Sequence, residues 1–181
     1  MLTRTIVIAI DQNTGGIGNN GNLLYSIPKD IRHFAKTTME IPTCQIIYKR
    51  NLVVMGRKTW DSIPLSKKPL KNRMNIVFTS RKIDHPDVYS VASMDEYKKV
   101  ECSLSYYVNK IFIIGGQQIY NMFLEHGLVQ ECVCTHIIST QPAMFDTTFD
   151  LKYLNAFKCE EVIEQWSEND DISCKIVRYS N

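Results

Sequence analysis

With 181 residues, 44% of them hydrophobic, the chain can bury a sizeable core yet leaves room for only one domain of ordinary size. Twenty-one basic against nineteen acidic side chains leave a net charge of +2, too mild to argue for nucleic acid or an anionic membrane as partner, so any basic cluster has to be local. Six cysteines without framework spacing, no secretory leader in Met1 to Ile10 and no run of transmembrane length point to reduced thiols in the cytoplasm.

Thr5 to Ile10 is a continuous apolar run suited to a buried central strand. It opens into a turn-rich stretch from Asp11 to Asn22. Gly15, Gly16, Gly18 and Gly21 imitate a dinucleotide fingerprint, but no helix begins at the last glycine and no acid follows at ribose-binding distance. A mobile lid over a ligand is the better reading. Pro28 suits the first turn of a helix, and Ile27, Ile31 and Phe34 repeat at i, i+4 and i+7 as its buried stripe. Asp30 falls inside that stripe. A carboxylate turned toward a core loses hydration and needs a hydrogen-bond partner or a ligand cation, whereas an acid near a helix start can also serve the dipole and the free N–H groups there. This helix alone leaves both roles open.

Thr43 to Arg50 reads as an irregular surface connection, and Leu52 to Met55 as a second buried strand. Gly56-Arg57-Lys58-Thr59-Trp60 follows at once, combining a glycine, two cations and a threonine that opens a helical turn. That is either an anion site or a solvated basic turn. A polar loop from Ser66 to Arg73, with Pro64 before it and Pro69 inside it, leads to a strand from Asn75 to Phe78 and then to Thr79-Ser80-Arg81, a second anion-friendly strand end. Tyr89 to Val91 is an edge strand, Met94 to Val100 a helix capped by Ser93, and Cys102 to Asn109 a loop. Lys110 to Ile114 is the most hydrophobic strand, and it turns through Gly115-Gly116 directly into a helix ending near His126-Gly127. Val129 to Ile138, Phe157 to Gln165 and Ile172 to Tyr179 complete the strands, the last two joined by the turn Ser167 to Asp171 as an antiparallel hairpin. Cys132 and Cys134 fall on one face of a strand as core residues, and no ligand spacing for a metal occurs. Short β-branched runs alternating with helical patterns make the class α/β.

Three anion-friendly strand ends and one buried acid describe a cleft for a phosphorylated dinucleotide beside a small protonatable heterocycle. Ile17-Gly18, Leu24-Tyr25 with Pro28 and Asp30, Met55 to Trp60, Pro69 to Arg73, Ile114-Gly115-Gly116 with Tyr120, and Thr135-His136-Ile137 with Asp146-Thr147 stand in the order and spacing of a known family. The chain resembles dihydrofolate reductase over nearly its whole length. The resemblance implies a central, mostly parallel eight-stranded sheet flanked by helices with a C-terminal antiparallel hairpin, as one domain over residues 1–181 with an adenosine-binding subdomain over about residues 51–106. It implies reduction of dihydrofolate to tetrahydrofolate by hydride from NADPH, in support of one-carbon metabolism and thymidylate synthesis, by a cytoplasmic monomer open to antifolates.

The resemblance also implies roles. Asp30 accepts from the pyrimidine edge of the pterin with Thr135 bonded to it, and Tyr25 and Leu23 act at the lid. Val7, Ile8, Phe34, Ile63, Leu70, Ile114 and Tyr120 line the substrate, and Arg73 pairs with the glutamate α-carboxylate. Around the cofactor stand Ala9, Ile17, Gly18, Gly56, Thr59, Ile114, Gly115, Gly116, Gln117, Gln118, Ile119, Tyr120 and Thr147. Arg57, Lys58, Thr79, Ser80 and Arg81 surround its 2′-phosphate, which favours NADPH over NADH. Asp30 would contact the side of the pterin opposite the imine nitrogen, so water is the implied proton donor. Cis peptides are implied at Gly115-Gly116 and Lys68-Pro69.

The chain departs from the family pattern at Leu24-Tyr25, where Pro-Trp is usual, at Asn72 in place of Gly, and by one glycine fewer around Gly15-Gly16. Two other readings share these residues: a pyrimidine reductase of similar fold, which the carboxylate clamp from Leu70 to Arg73 opposes, and a binding protein without turnover.

Overall fold

Alternation along the first strand decides the layering of the computed structural model, which describes residues 2–42 and 48–181. In chain order its elements are β1 (Arg4–Asp11), β2 (Gly16–Asn19), β3 (Asn22–Leu23), α1 (Pro28–Met39), β4 (Arg50–Gly56), α2 (Arg57–Ser62), β5 (Arg73–Phe78) and β6 (Val88–Val91). There follow α3 (Met94–Leu104), β7 (Val108–Ile113), α4 (Gln117–Glu125), β8 (Glu131–Ser139), β9 (Thr147–Thr148), β10 (Cys159–Ser167) and β11 (Ile172–Ser180). Ile6, Ile8 and Ile10 of β1 enter the larger core with Cys132 and Cys134, whereas Val7 and Ala9 join the opposite face. A one-residue slip would exchange the two sets, so the pattern fixes the register.

The eight-stranded sheet runs in the order β10-β11-β8-β1-β7-β4-β5-β6. Its pairs are parallel except β8–β11 and β10–β11, as the expected hairpin requires. The larger core packs Tyr97 of α3 against Phe123 of α4, with ring centroids 5.0 Å apart and edges to faces. On the other face Phe34 of α1 and Ile63 pack on Val7, Val53, Met55, Leu70, Phe112 and Ile114.

Three features depart from the sequence expectation. The lid is a second, three-stranded sheet, β3-β2-β9, in which Gly18 pairs with both Leu23 and Thr147. Next, α3 continues past Val100 to Leu104, because Leu104 is itself buried in the larger core and rewards one more turn. The stretch from Leu151 to Ala156 forms a 3-10 helix capped by Asp150, whose side chain accepts from the Lys152 N–H. Residues 43–47 of the expected surface connection lie outside the described residues. The Lys68-Pro69 and Gly115-Gly116 peptides are both cis. Asn72 has φ 60°, the left-handed conformation that glycine serves most easily and that asparagine tolerates, so the departure from Gly at this position keeps the turn.

Candidate active site

At the carboxyl ends of β1 and β8, Ala9 lies opposite Thr135 and Asp11 opposite Ile137. There α1 crosses the face that carries Val7 and Ala9. Thr135 donates its hydroxyl to Asp30 Oδ1 at 2.6 Å. No side chain caps α1, whose N-cap is Ile27, and among the described residues no helix N–H donates to Asp30. Its partner is therefore across the sheet and not in its own helix. Burial pushes the Asp30 carboxyl above its ordinary range, against the Thr135 hydrogen bond and the nearby His33, which favour the charged form. A carboxylate so placed can accept from a planar N–H pair, and a cationic ligand would stabilise its charged form.

Val7, Phe34, Ile63, Leu70 and Ile114 converge in a single apolar cluster beside Asp30's helix. Tyr120 donates its hydroxyl to the Val7 carbonyl at 3.1 Å, fixing the strand end at the cluster. Ile8, by contrast, turns its side chain into the larger core, so only its backbone can face the cleft. At the far end of the cluster Arg73 is 7% exposed, donating Nη1 to Thr38 Oγ1 at 2.6 Å and Nε to the Lys71 carbonyl at 3.1 Å. Burial lowers the guanidinium's pKa, yet arginine stays charged. Nη2 has no protein partner among the described residues, leaving a donor for an incoming carboxylate. Two residues behind this arrangement escaped the sequence reading. Thr38 is fully buried and donates its own hydroxyl to the Phe34 carbonyl at 2.8 Å, and Asn75 bridges the Leu70 N–H and the Leu70 and Arg73 carbonyls at 3.0–3.1 Å. Their only signal was a polar side chain at the edge of an apolar run.

The lid follows β1. Phe149 N–H donates to the Gly15 carbonyl at 2.8 Å, and Asp146 accepts from the Asn20 N–H at 2.8 Å and from the Thr147 hydroxyl at 2.7 Å. Leu23 is 63% exposed on β3, at the lid surface. The Tyr25 hydroxyl donates to Asp11 Oδ2 at 2.9 Å and so is not directed at Asp30.

The parallel strands β4 and β7 end side by side, β4 turning at once into α2 and β7 reaching α4 through Ile114, Gly115 and Gly116. Gly56 N–H donates to the Gly115 carbonyl at 2.7 Å. A Cβ on Gly116 would stand 3.3 Å from the Thr59 hydroxyl, one on Gly56 3.1 Å from Ile119, and one on Gly115 2.9 Å from the Tyr120 hydroxyl, where φ is also +108°. The backbone here forms a floor that side chains would fill. Gly116 N-caps α4 without a side chain, so the first N–H groups around Gln117 and Gln118 can take a phosphate oxygen, with Thr59 adding a hydroxyl. Gln117 Nε2 reaches Thr148 Oγ1 at 3.5 Å and ties this end to the lid sheet. Beyond it stand exposed Arg57, Lys58, Ser80 and Arg81, with Thr79 taking the Arg81 N–H at 3.1 Å. Arg57 gives Nε to both oxygens of Asp61 at 2.8–2.9 Å, which leaves its terminal nitrogens facing outward. Glycine floor, helix start and cation group fit a phosphorylated dinucleotide.

Residues 3–181 match the family model described as dihydrofolate reductase. The chain belongs to the dihydrofolate reductase family. It is 33% identical over 156 residues to the dihydrofolate reductase of Pneumocystis carinii, covering 82% of this chain and 74% of that protein. To the dihydrofolate reductase of Schistosoma mansoni it is 38% identical over 140 residues, 74% of this chain and 72% of that one. The bifunctional dihydrofolate reductase-thymidylate synthase of Daucus carota is 34% identical over 183 residues, 98% of this chain but 32% of the longer protein. As a dihydrofolate reductase the chain is an oxidoreductase that reduces dihydrofolate to tetrahydrofolate with NADPH, and its family binds dihydrofolate and antifolates as small-molecule ligands. Family membership thus decides against the pyrimidine-reductase and binding-protein readings.

Proposed function

We propose that Asp30 is the residue that holds and activates the pterin, on one observation above the others: its hydrogen bond to Thr135 across the sheet, beside the apolar wall of Val7, Phe34, Ile63, Leu70 and Ile114. A charged carboxylate accepts from the ring N–H and amino group of the pyrimidine edge, while Thr135 holds the second oxygen's neighbour in place and fixes the approach. Phe34 and Ile63 pack on the flat rings, with Ile8 contributing backbone only. Arg73, already aligned by Thr38 and Lys71, pairs with the glutamate carboxylate.

NADPH supplies the hydride, and this chain's residues orient it and keep water out. Gly116, Gln117 and Gln118 with Thr59 hold the pyrophosphate, while Arg57, Lys58, Thr79, Ser80 and Arg81 hold the 2′-phosphate. Gly56, Gly115 and Ile119 shape the floor, and Ala9, Ile17, Gly18, Ile114, Tyr120 and Thr147 border the nicotinamide end. Asp30 contacts the side of the pterin opposite the imine nitrogen, so the proton comes from water, and Asp30 acts by raising the proton affinity of the bound pterin in a site of low dielectric. Leu23 and Tyr25 act through the lid.

The reading extends to a single domain with an adenosine-binding subdomain over about residues 51–106, working as a cytoplasmic monomer without nucleic-acid or membrane partners. The near-neutral charge supports the absence of a nucleic-acid partner, and among the described residues no helix is long and apolar enough to cross a membrane.

Turnover of dihydrofolate and NADPH, followed by nicotinamide absorbance across pH, tests the central role. Asp30→Asn keeps an acceptor for Thr135 but removes the charge. Its turnover near neutral pH should fall by two orders of magnitude or more, the rate equivalent of about 3 kcal/mol. Acid should restore part of the loss by supplying substrate already protonated. A variant with wild-type rate and pH profile would remove Asp30 from the chemistry.

A further inference from the structure

Asp11 closes β1 at 7% exposure, on the same face as Val7 and Ala9. Its two oxygens have different work. Oδ1 accepts from the Asn13 N–H at 3.1 Å, the Thr14 N–H at 3.0 Å and the Thr14 hydroxyl at 2.8 Å, which is the local turn that starts the lid. Oδ2 accepts from the Tyr25 hydroxyl at 2.9 Å, where the lid ends. No cation pairs with Asp11 among the described residues. Burial would raise its carboxyl pKa, but the hydrogen bonds from Thr14, Tyr25 and Asn13 hold it below the ordinary range.

A turn cap alone would need only Oδ1, and asparagine or serine would supply it. The second oxygen is committed to a partner far along the chain. Tyr25 in turn packs, as Ala9 does, on the buried cluster of Ile27, Ile137 and Cys174 at the start of α1. Five residues later Asp30 receives the Thr135 hydroxyl. Asp11 and Thr135 sit on neighbouring paired strands, two register positions apart. The short segment from Tyr25 to Asp30 is therefore fastened to one strand pair at both ends, by a hydrogen bond into the sheet at each.

We propose that Asp11 is a positioning residue for the reaction: by holding the Tyr25 hydroxyl it sets the approach of the segment that carries Asp30 and, through the same side chain, joins the two ends of the lid. It touches neither substrate nor cofactor. The inference rests on the reading of Asp30 as the pterin-binding acid. It also assigns the Tyr25 hydroxyl a role that follows from this chain's own departure from the Trp of the family pattern.

Tyr25→Phe removes the hydroxyl and keeps the ring; Asp11→Ser keeps an acceptor for the Asn13 and Thr14 N–H groups and cannot reach Tyr25. Each should lower kcat/KM for dihydrofolate about tenfold, the equivalent of one hydrogen bond, while KM for NADPH stays within about twofold. Because both act through one bond, the double variant should be no slower than the slower single variant. Three results would overturn the proposal: wild-type kinetics in Tyr25→Phe, losses that multiply in the double variant, or equal losses toward both ligands. A lowered melting temperature with unchanged kcat/KM in Asp11→Ser would likewise reduce Asp11 to a turn cap. Asp30→Asn in the same assay keeps the two readings apart: full activity there removes the Asp30 assignment, whatever Asp11 does.

Discussion

Asp30 and Arg73, the proposed substrate contacts, are gripped by buried protein hydroxyls, Thr135 and Thr38, whereas Arg57, Lys58 and Arg81, the proposed cofactor contacts, stand exposed, and among them only Arg57 has a carboxylate partner, Asp61, within the described residues. The difference is one of where the cost of charge is met. On the substrate side desolvation has already occurred on folding, so geometry is fixed and each group is hard to replace. On the cofactor side the cations remain hydrated until the phosphate arrives, so each contributes modestly and salt competes with it.

That contrast can be broken at either end. Arg73→Leu should have the largest effect on binding, raising KM for dihydrofolate about 100-fold or more because a charge-assisted contact is lost and the ligand carboxylate is stranded, with little change for NADPH. Equal weakening of both ligands would make Arg73 a structural residue. Arg57→Ala should raise KM for NADPH only about tenfold and narrow the preference over NADH, since only the phosphorylated cofactor rewards that cation. An unchanged cofactor ratio would move the 2′-phosphate to other residues.

A third variant separates function from stability on the substrate side. The Asp30 carboxyl is raised by burial, so its contribution to folding is fully present below the unfolded pKa and is lost as pH rises through the folded one. At neutral pH the ligand-free Asp30→Asn protein should accordingly melt above wild type, and the gap should close in acid. Asp11 carries the opposite sign: its lowered pKa gives stability above the unfolded value that drains away as pH falls. A destabilised Asp30→Asn would mean that Thr135 requires the charge. The smallest effect is on ionic strength, where KM for NADPH should rise a few-fold from low to high salt while KM for dihydrofolate moves less. Equal salt dependence would erase the distinction between the halves.

How much of this could be read from the chain depended on whether a residue broke a local rule. Asp30 stood out because an acid interrupted the Ile27, Ile31, Phe34 stripe, and Gly115-Gly116 because two glycines follow an apolar strand. The lid sheet left no such mark: β2, β3 and β9 are two to four residues long, and their pairing with Thr147 and Thr148 is non-local, so no period could form. Asp11 was hidden in another way, since an acid opening a turn needs no further explanation until Tyr25 is seen to use its second oxygen. The convergence of Val7, Ile63 and Leu70 came from resemblance alone, as each is an ordinary apolar residue in its own stretch.

The placement of the thiols has a consequence for watching the molecule open. Cys102 and Cys159 are exposed, whereas Cys132, Cys134 and Cys174 are buried, and burial pushes all three of their thiols up, Cys174 to about 11. Thiolate is the reactive form, so among the described residues alkylating reagents meet Cys102 and Cys159 before the other three. Cys132 and Cys134 occupy the middle of β8, between β1 and β11, and cannot react until those pairings part. The chain thus carries its own clock: slow labelling at these two positions would time the separation of the strands that hold Asp11 and Thr135, and bound folate should slow it.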